Sequence, residues 1–222
     1  MKQLLLICAV VAGGCASTPK VVPNSPEAKA AIEAAIRKAA KKPTGELTKA
    51  DLEKVTRLDL FDIQLTDLKG LETLTRLTEL GLGSNQLTDL KGLEKLTNLE
   101  TLYLEDNQLT SVKGLEKLTK LTRLDLVNNQ LTSVKGVEKL TKLKKLSLYK
   151  NKLTEVPKGL ENLTQLTFLN LSANRLTELP SLEKLNWLKT LRLWNNPALS
   201  KAQIDQLQNA LPKCDIGHNA KK

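Results

Sequence analysis

Aromatic residues are nearly missing: two Phe, two Tyr and two Trp make up 3% of 222 residues. Large rings normally supply much of a core's buried area, so leucine must take over that volume. Cysteine is equally thin. Cys8 and Cys15 lie at the extreme N-terminus, which leaves Cys214 alone in the remaining chain and excludes both a disulfide framework and a cysteine-based zinc site. There is no glycine-rich phosphate loop, metal-ligand pattern or paired-carboxylate motif, the usual sequence signs of catalysis. Cys214, Asp215 and His218, the sole histidine, come nearest to a nucleophile and base. On a strand, however, Cys214 and Ile216 both face the core, and His218 follows a glycine with no third group to orient it. A buried structural thiol and an exposed imidazole are expected. The composition predicts a non-enzyme with no cofactor and no metal.

What is present is repetition. Leu77 to Asn98 reads LTELGLGSNQLTDLKGLEKLTN, and nearly the same words return from Leu99 to Lys120 and from Leu121 to Lys142. The landmark leucines Leu58, Leu80, Leu102, Leu124, Leu146, Leu169 and Leu191 step by 22 residues, with a single 23-residue step. A fixed period of this length marks a solenoid. The unit fits LxxLxLxxNxL, the leucine-rich repeat pattern, so an α/β coil of about seven turns is expected over 55–197. Its short parallel strands would line the concave face. The second half of each unit is too short for a long helix, which predicts 3₁₀ or one-turn helices on the convex side. Asn85, Asn107, Asn129, Asn151, Asn174 and Asn196 recur after each strand, where side-chain amides can satisfy backbone groups of neighbouring coils. The first coil has Ile63 there, as expected where no coil precedes it.

The formal charge is +10. Many of the lysines sit in the recurring KGLEKLTK words, spread over successive coils rather than gathered beside aromatics. That distribution reads as a solvated basic face and not as a nucleic-acid site.

The repeats are flanked by different material. Met1 to Ala16 has Lys2, an apolar run from Leu4 to Ala12 and then small residues, the layout of a secretory signal too short to span a bilayer. Ala12-Gly13-Gly14-Cys15 resembles a bacterial lipobox, with Ala12 where Leu is commonest. That resemblance implies a signal peptide over 1–14, acylation of Cys15 and, with Ala16 following, sorting to the outer membrane. Cleavage near Ala16 and free secretion is the alternative. Residues 15–26 are proline-punctuated and read as a tether, its stretch from Ser17 reaching about 30 Å. Over 27–54, Ser25-Pro26 starts a helix whose apolar positions include Ala28, Ile32 and Ile36, and Thr48 to Asp51 opens a second in capping-box style. Such a segment would cover the open end of the first coil. At 198–222, Leu199, Ile204, Leu207 and Leu211 carry an apolar stripe behind Ser200, Pro212 stops it, and Lys213 to Ile216 closes the stack as a strand. The tail after Gly217 is expected to be loose.

The NQLTDLKGLEKLTNL words are similar to bacterial leucine-rich repeat proteins of the internalin type, and Leu47 to Leu58 looks like the end of the helical cap in that group. The likeness runs from about Glu27 to Ile216. It implies an interaction protein whose partners are met by variable concave residues.

Those residues can be read off the repeat, because strand side chains alternate. The third position gives Arg57, Glu79, Thr101, Arg123, Lys145, Phe168 and Thr190. The fifth gives Asp59, Gly81, Tyr103, Asp125, Ser147, Asn170 and Arg192, and the seventh Phe61, Gly83, Glu105, Val127, Tyr149, Ser172 and Trp194. Five of the six aromatics, all but Trp187, fall on this strip although leucine could fill the core alone. That placement suggests contact anchors. Charge divides along the strip: Asp59, Asp62, Glu79, Glu105, Asp106 and Asp125 dominate early, whereas Lys145, Lys150 and Arg192 stand without acids later. The expected partner-binding set is Phe61, Tyr103, Glu105, Asp106, Asp125, Lys145, Tyr149, Phe168, Arg192 and Trp194. A protein partner is expected, met by a monomer held to a membrane by its lipid. An envelope spacer and a glycan- or peptidoglycan-binding protein are the alternatives.

Overall fold

A computed structural model describes residues 23–180 and 182–221. The signal-peptide and lipidation assignments, Cys15 included, lie outside the described residues. Eight three-residue strands form one parallel sheet in sequential order: β1 Arg57–Asp59, β2 Glu79–Gly81, β3 Thr101–Tyr103, β4 Arg123–Asp125, β5 Lys145–Ser147, β6 Phe168–Asn170, β7 Thr190–Arg192 and β8 Asp215–Gly217. The register aligns Leu58, Leu80, Leu102, Leu124, Leu146, Leu169, Leu191 and Ile216. These leucines and those two residues beyond are buried, and together with the convex row (Leu93, Leu115, Val137) they make one continuous core. The coil is a leucine-rich repeat solenoid with strands on its concave side.

The asparagines hold each turn to the coil before it. Asn129 Oδ1 accepts from the Leu109 N–H at 3.0 Å. Its Nδ2 donates to the Leu104 carbonyl at 2.9 Å and to the carbonyls of its own Leu126 and Val127. Asn85, Asn107, Asn151, Asn174 and Asn196 repeat this pattern and are all buried. Each amide thus satisfies backbone groups that would otherwise be buried without partners. The residue before each asparagine is left-handed, namely Ser84, Asp106, Asn128, Lys150, Ala173 and Asn195, as is Asp62 before Ile63 in the first coil.

On the convex side, 3₁₀ segments begin at Leu71, Leu93, Leu115, Val137 and Leu160. Each follows a left-handed glycine, and in the regular coils the glutamate two residues on accepts that glycine's N–H, as Glu94 does from Gly92 at 2.7 Å. The coil after β6 has no such segment among its described residues. The sequence of that coil has Pro180-Ser181 where other coils have Lys-Gly, so it lacks the glycine that precedes the convex segment elsewhere.

Both caps form as the patterns predict, with two corrections. α1 Pro26–Ala40 is N-capped by Ser25 and buries Ala28, Ile32, Ile36 and Ala40. α2 Lys49–Leu52 has the Thr48–Asp51 capping box. Asp51 also accepts from Lys42 and Lys54, each at 2.9 Å, and these bonds hold its carboxyl far below the ordinary carboxylate range. The first correction concerns the tether, whose end is not loose. Asn24 is buried against the first coil, accepting from the Thr66 and Asp67 N–H groups and donating to the Asp67 carbonyl at 3.0 Å. It gives the first coil's turn region an amide partner from outside the repeats.

At the other end, α3 Lys201–Ala210 has a Ser200–Gln203 capping box and buries Ile204 and Leu207. The second correction is the tail after Gly217, which is pinned. Asn219 exchanges two hydrogen bonds with Asn195, and the Lys221 carbonyl accepts from the Lys201 N–H. Among the described residues no helix is long and apolar enough to cross a membrane.

Candidate binding face

Strand geometry turns the third, fifth and seventh repeat positions away from the leucine core. Among the described residues Phe61, Trp194 and Tyr149 are the exposed large hydrophobics, at 53%, 45% and 38% of full exposure. Tyr103 and Phe168 are half-buried on the same face. Trp187 instead packs against the core from outside the strip. Two positions read as outward are covered. Ser172 is buried, its hydroxyl accepting the Trp194 N–H at 3.1 Å. Gly83 lies beneath the side chains of Glu105 and Phe61.

The charges are more engaged than the sequence suggests. Arg57 pairs with Glu79 across the first two coils, its Nε donating at 2.8 Å. Arg123 lies over the Tyr103 ring, 5.0 Å from its centre, close enough for a cation–π interaction. Arg192, expected to stand without an acid, pairs with Asp215 at 2.8 Å. α3 intervenes between these two in sequence and returns the chain beside β7. Lys145, on β5, and Lys150 are exposed, and neither forms a salt bridge among the described residues. The acidic surplus of the early coils therefore remains in Asp59, Glu105, Asp106 and Asp125. Asp106 accepts a hydrogen bond from the Asn128 side chain.

Glu105 has the most unusual environment. One carboxylate oxygen, Oε2, is buried with no hydrogen-bond partner. Burial, together with repulsion from Asp125 and Asp106, pushes its carboxyl above the ordinary value. Burial also raises Asp125, with Asp106 contributing. These shifts mark a face where negative charge is desolvated without full compensation.

Glu105 belongs to a hollow of about 650 Å³ at the N-terminal end of the face. Gly81 and Gly83 form its floor, Phe61 and Asp59 one side, Tyr103 and Glu105 the other, and Ala35, Lys38 and Ala39 of α1 the end wall. Sequence reading placed Gly81 and Gly83 on the strip but missed the hollow. The available signal was glycine at two successive outward positions of one coil, where strands disfavour it.

Among the described residues no hydrogen bond joins Cys214 to His218. Cys214 is a buried free thiol raised by burial and by Asp215, and its Sγ lies against the Asp215 carbonyl. His218 Nδ1 accepts from the Ala220 N–H. No cluster able to hold a metal occurs among the described residues.

Comparison with known proteins agrees with this architecture. The family model for Leucine Rich repeats (2 copies) matches residues 53–95, 97–139 and 164–209, and a further Leucine rich repeat model matches 119–176. Together they span more than half of the chain, which belongs to the leucine-rich repeat family. Within it the chain is internalin-like. An internalin C2 (inlC2) from Listeria monocytogenes superposes with a TM-score of 0.76 at 31% identity, over 85% of this chain and 85% of that one. A second Listeria monocytogenes internalin (inlF) gives 0.77 at 25% identity, covering 92% of this chain. The present chain spans 62% of that protein's length. No match was found among curated protein sequences. The fold generally serves as a scaffold for protein interaction, its curved stack presenting an extended concave surface.

Proposed function

We propose that this protein is a non-enzymatic interaction module, exported and anchored to the outer membrane through a lipid on Cys15, that binds a protein partner on its concave face. The observation that carries the reading is the placement of Phe61, Tyr149 and Trp194 as the exposed large hydrophobics of a chain otherwise filled by leucine. An exposed aromatic contributes little to folding and much to an interface. Tyr103, Phe168, Glu105, Asp106, Asp125, Lys145 and Arg192 complete the contact strip, acidic toward the early coils and basic beyond.

Capture from envelope extract on immobilised protein tests the reading. Asp106→Lys and Asp125→Lys reverse the early charge. Asp106 occupies the turn position that Lys150 fills elsewhere, so the backbone accepts lysine there. Capture should fall with both changes. Equal capture by every concave variant would leave an envelope spacer, and loss of capture after muramidase treatment would identify a peptidoglycan ligand. The anchor is tested separately: Cys15→Ser should move the protein from the membrane to the soluble fraction and abolish labelling by a fatty-acid analogue.

A further inference from the structure

Neither glycine at the floor of the N-terminal hollow is required by its backbone. Gly81 and Gly83 lack the left-handed φ seen at Gly70, Gly92, Gly114 and Gly136, so any residue could adopt their conformation. Glycine in a strand costs stability, and what it gives in return here is space. A Cβ on Gly83 would stand 2.4 Å from Glu105 Oε1 and 3.1 Å from Phe61, and one on Gly81 would stand 2.7 Å from Asp59 Oδ1. The missing side chains thus let two carboxylates and the Phe61 ring lean over the strand, in a hollow that Tyr103 also lines.

The charge around that cleft is unbalanced. Glu79 is matched by Arg57. Asp59 and Glu105 line the hollow with no salt bridge among the described residues, and Glu105 Oε2 has no hydrogen-bond partner at all. Arg57 and Lys38 also line the hollow, but Arg57 is taken up by Glu79, Lys38 stands on the α1 wall, and Arg123 lies outside over the Tyr103 ring. Burying a carboxylate oxygen without a partner is costly. A cation seated beside the carboxylate would offset that cost.

We propose that this hollow is the anchoring subsite for an arginine side chain of the protein partner, its guanidinium between Phe61 and Tyr103 and hydrogen-bonded to Glu105 and Asp59. Guanidinium fits because it is planar, stacks on rings and carries several donors in a fixed fork, whereas an ammonium is a compact, strongly hydrated charge. The assignment rests on the protein-interaction reading of the concave face and gives that face its point of register.

The test uses the purified full chain and small probes. Acetyl-arginine methylamide is titrated while backbone amide NMR signals are followed, with the citrulline analogue as uncharged isostere. Saturable shifts are expected at Gly81, Gly83 and Glu105, about tenfold weaker for citrulline, as befits a charge-assisted bond. Glu105→Gln should weaken the arginine probe by a similar factor, and Gly83→Ala should abolish its binding. Thermal unfolding shows that each variant is folded, and Gly81→Ala serves if Gly83→Ala is not. Equal binding of citrulline, indifference to these changes, or shifts centred on other coils would overturn the subsite. Equal binding of the lysine analogue would overturn the preference for arginine. Failure here with partner capture still sensitive to Tyr149 and Trp194 would sink the subsite and leave the interaction reading standing. A working arginine site on a chain whose capture ignores every concave change would break the interaction reading instead.

Discussion

The three residues of β4 contain the molecule's main contrast. Leu124 aligns with a leucine in both neighbouring strands, while Arg123 and Asp125 face Thr101 and Tyr103 on one side and Lys145 and Ser147 on the other. The inward side repeats because every coil must offer the same shape to the next. The outward side has no such obligation. Stability and recognition are therefore carried by alternate residues of one strand, and changes on the two sides should have different consequences.

Leu124→Ala should be the most damaging, costing about 2–5 kcal/mol for a fully buried leucine, measured by denaturant unfolding. Asn129→Ala comes next. It leaves the buried Leu109 N–H without a partner, while the Leu104 carbonyl keeps the bond from Asn107, and roughly 1–3 kcal/mol is expected for the group left unpaired. Asn24→Ala should cost less, about 1 kcal/mol, because its partners are only part-buried; faster hydrogen exchange at Thr66 and Asp67 would report it.

The smallest effect is on the outward side and carries a pH signature. Glu105 has a raised carboxyl, so the folded state favours its neutral form. The ionised form is penalised as pH rises from the ordinary value of 4.5 through the raised folded one. Glu105→Gln should therefore unfold a few degrees higher than the native chain at pH 7. That advantage should vanish below pH 4, where the native side chain is protonated in both states. An advantage unchanged with pH would mean that packing, not charge, separates the two.

Much of this contrast was legible in the sequence. The 22-residue step located the strands, the recurring asparagine located the turns, and alternation assigned Tyr149 and Trp194 outward. What escaped depended on residues brought together from a distance. Asn24 meets Thr66 and Asp67 across more than forty residues. Arg192 finds Asp215 only because α3 returns the chain beside β7. The hollow required both absent side chains at Gly81 and Gly83 and the approach of α1 over β1, and a repeat pattern describes what is present, coil by coil. It does not reveal a space closed by a cap.

The most direct test pairs two readouts on Tyr149→Ala and Trp194→Ala: partner capture and melting temperature. Exposed side chains away from the core should move stability by no more than about 0.5 kcal/mol, whereas an interface anchor should lower affinity by tenfold or more for a loss of about 2 kcal/mol. Weakened capture with an unshifted melting temperature is the predicted result. Unchanged capture with a large fall in melting temperature would make these rings packing residues and contradict the account.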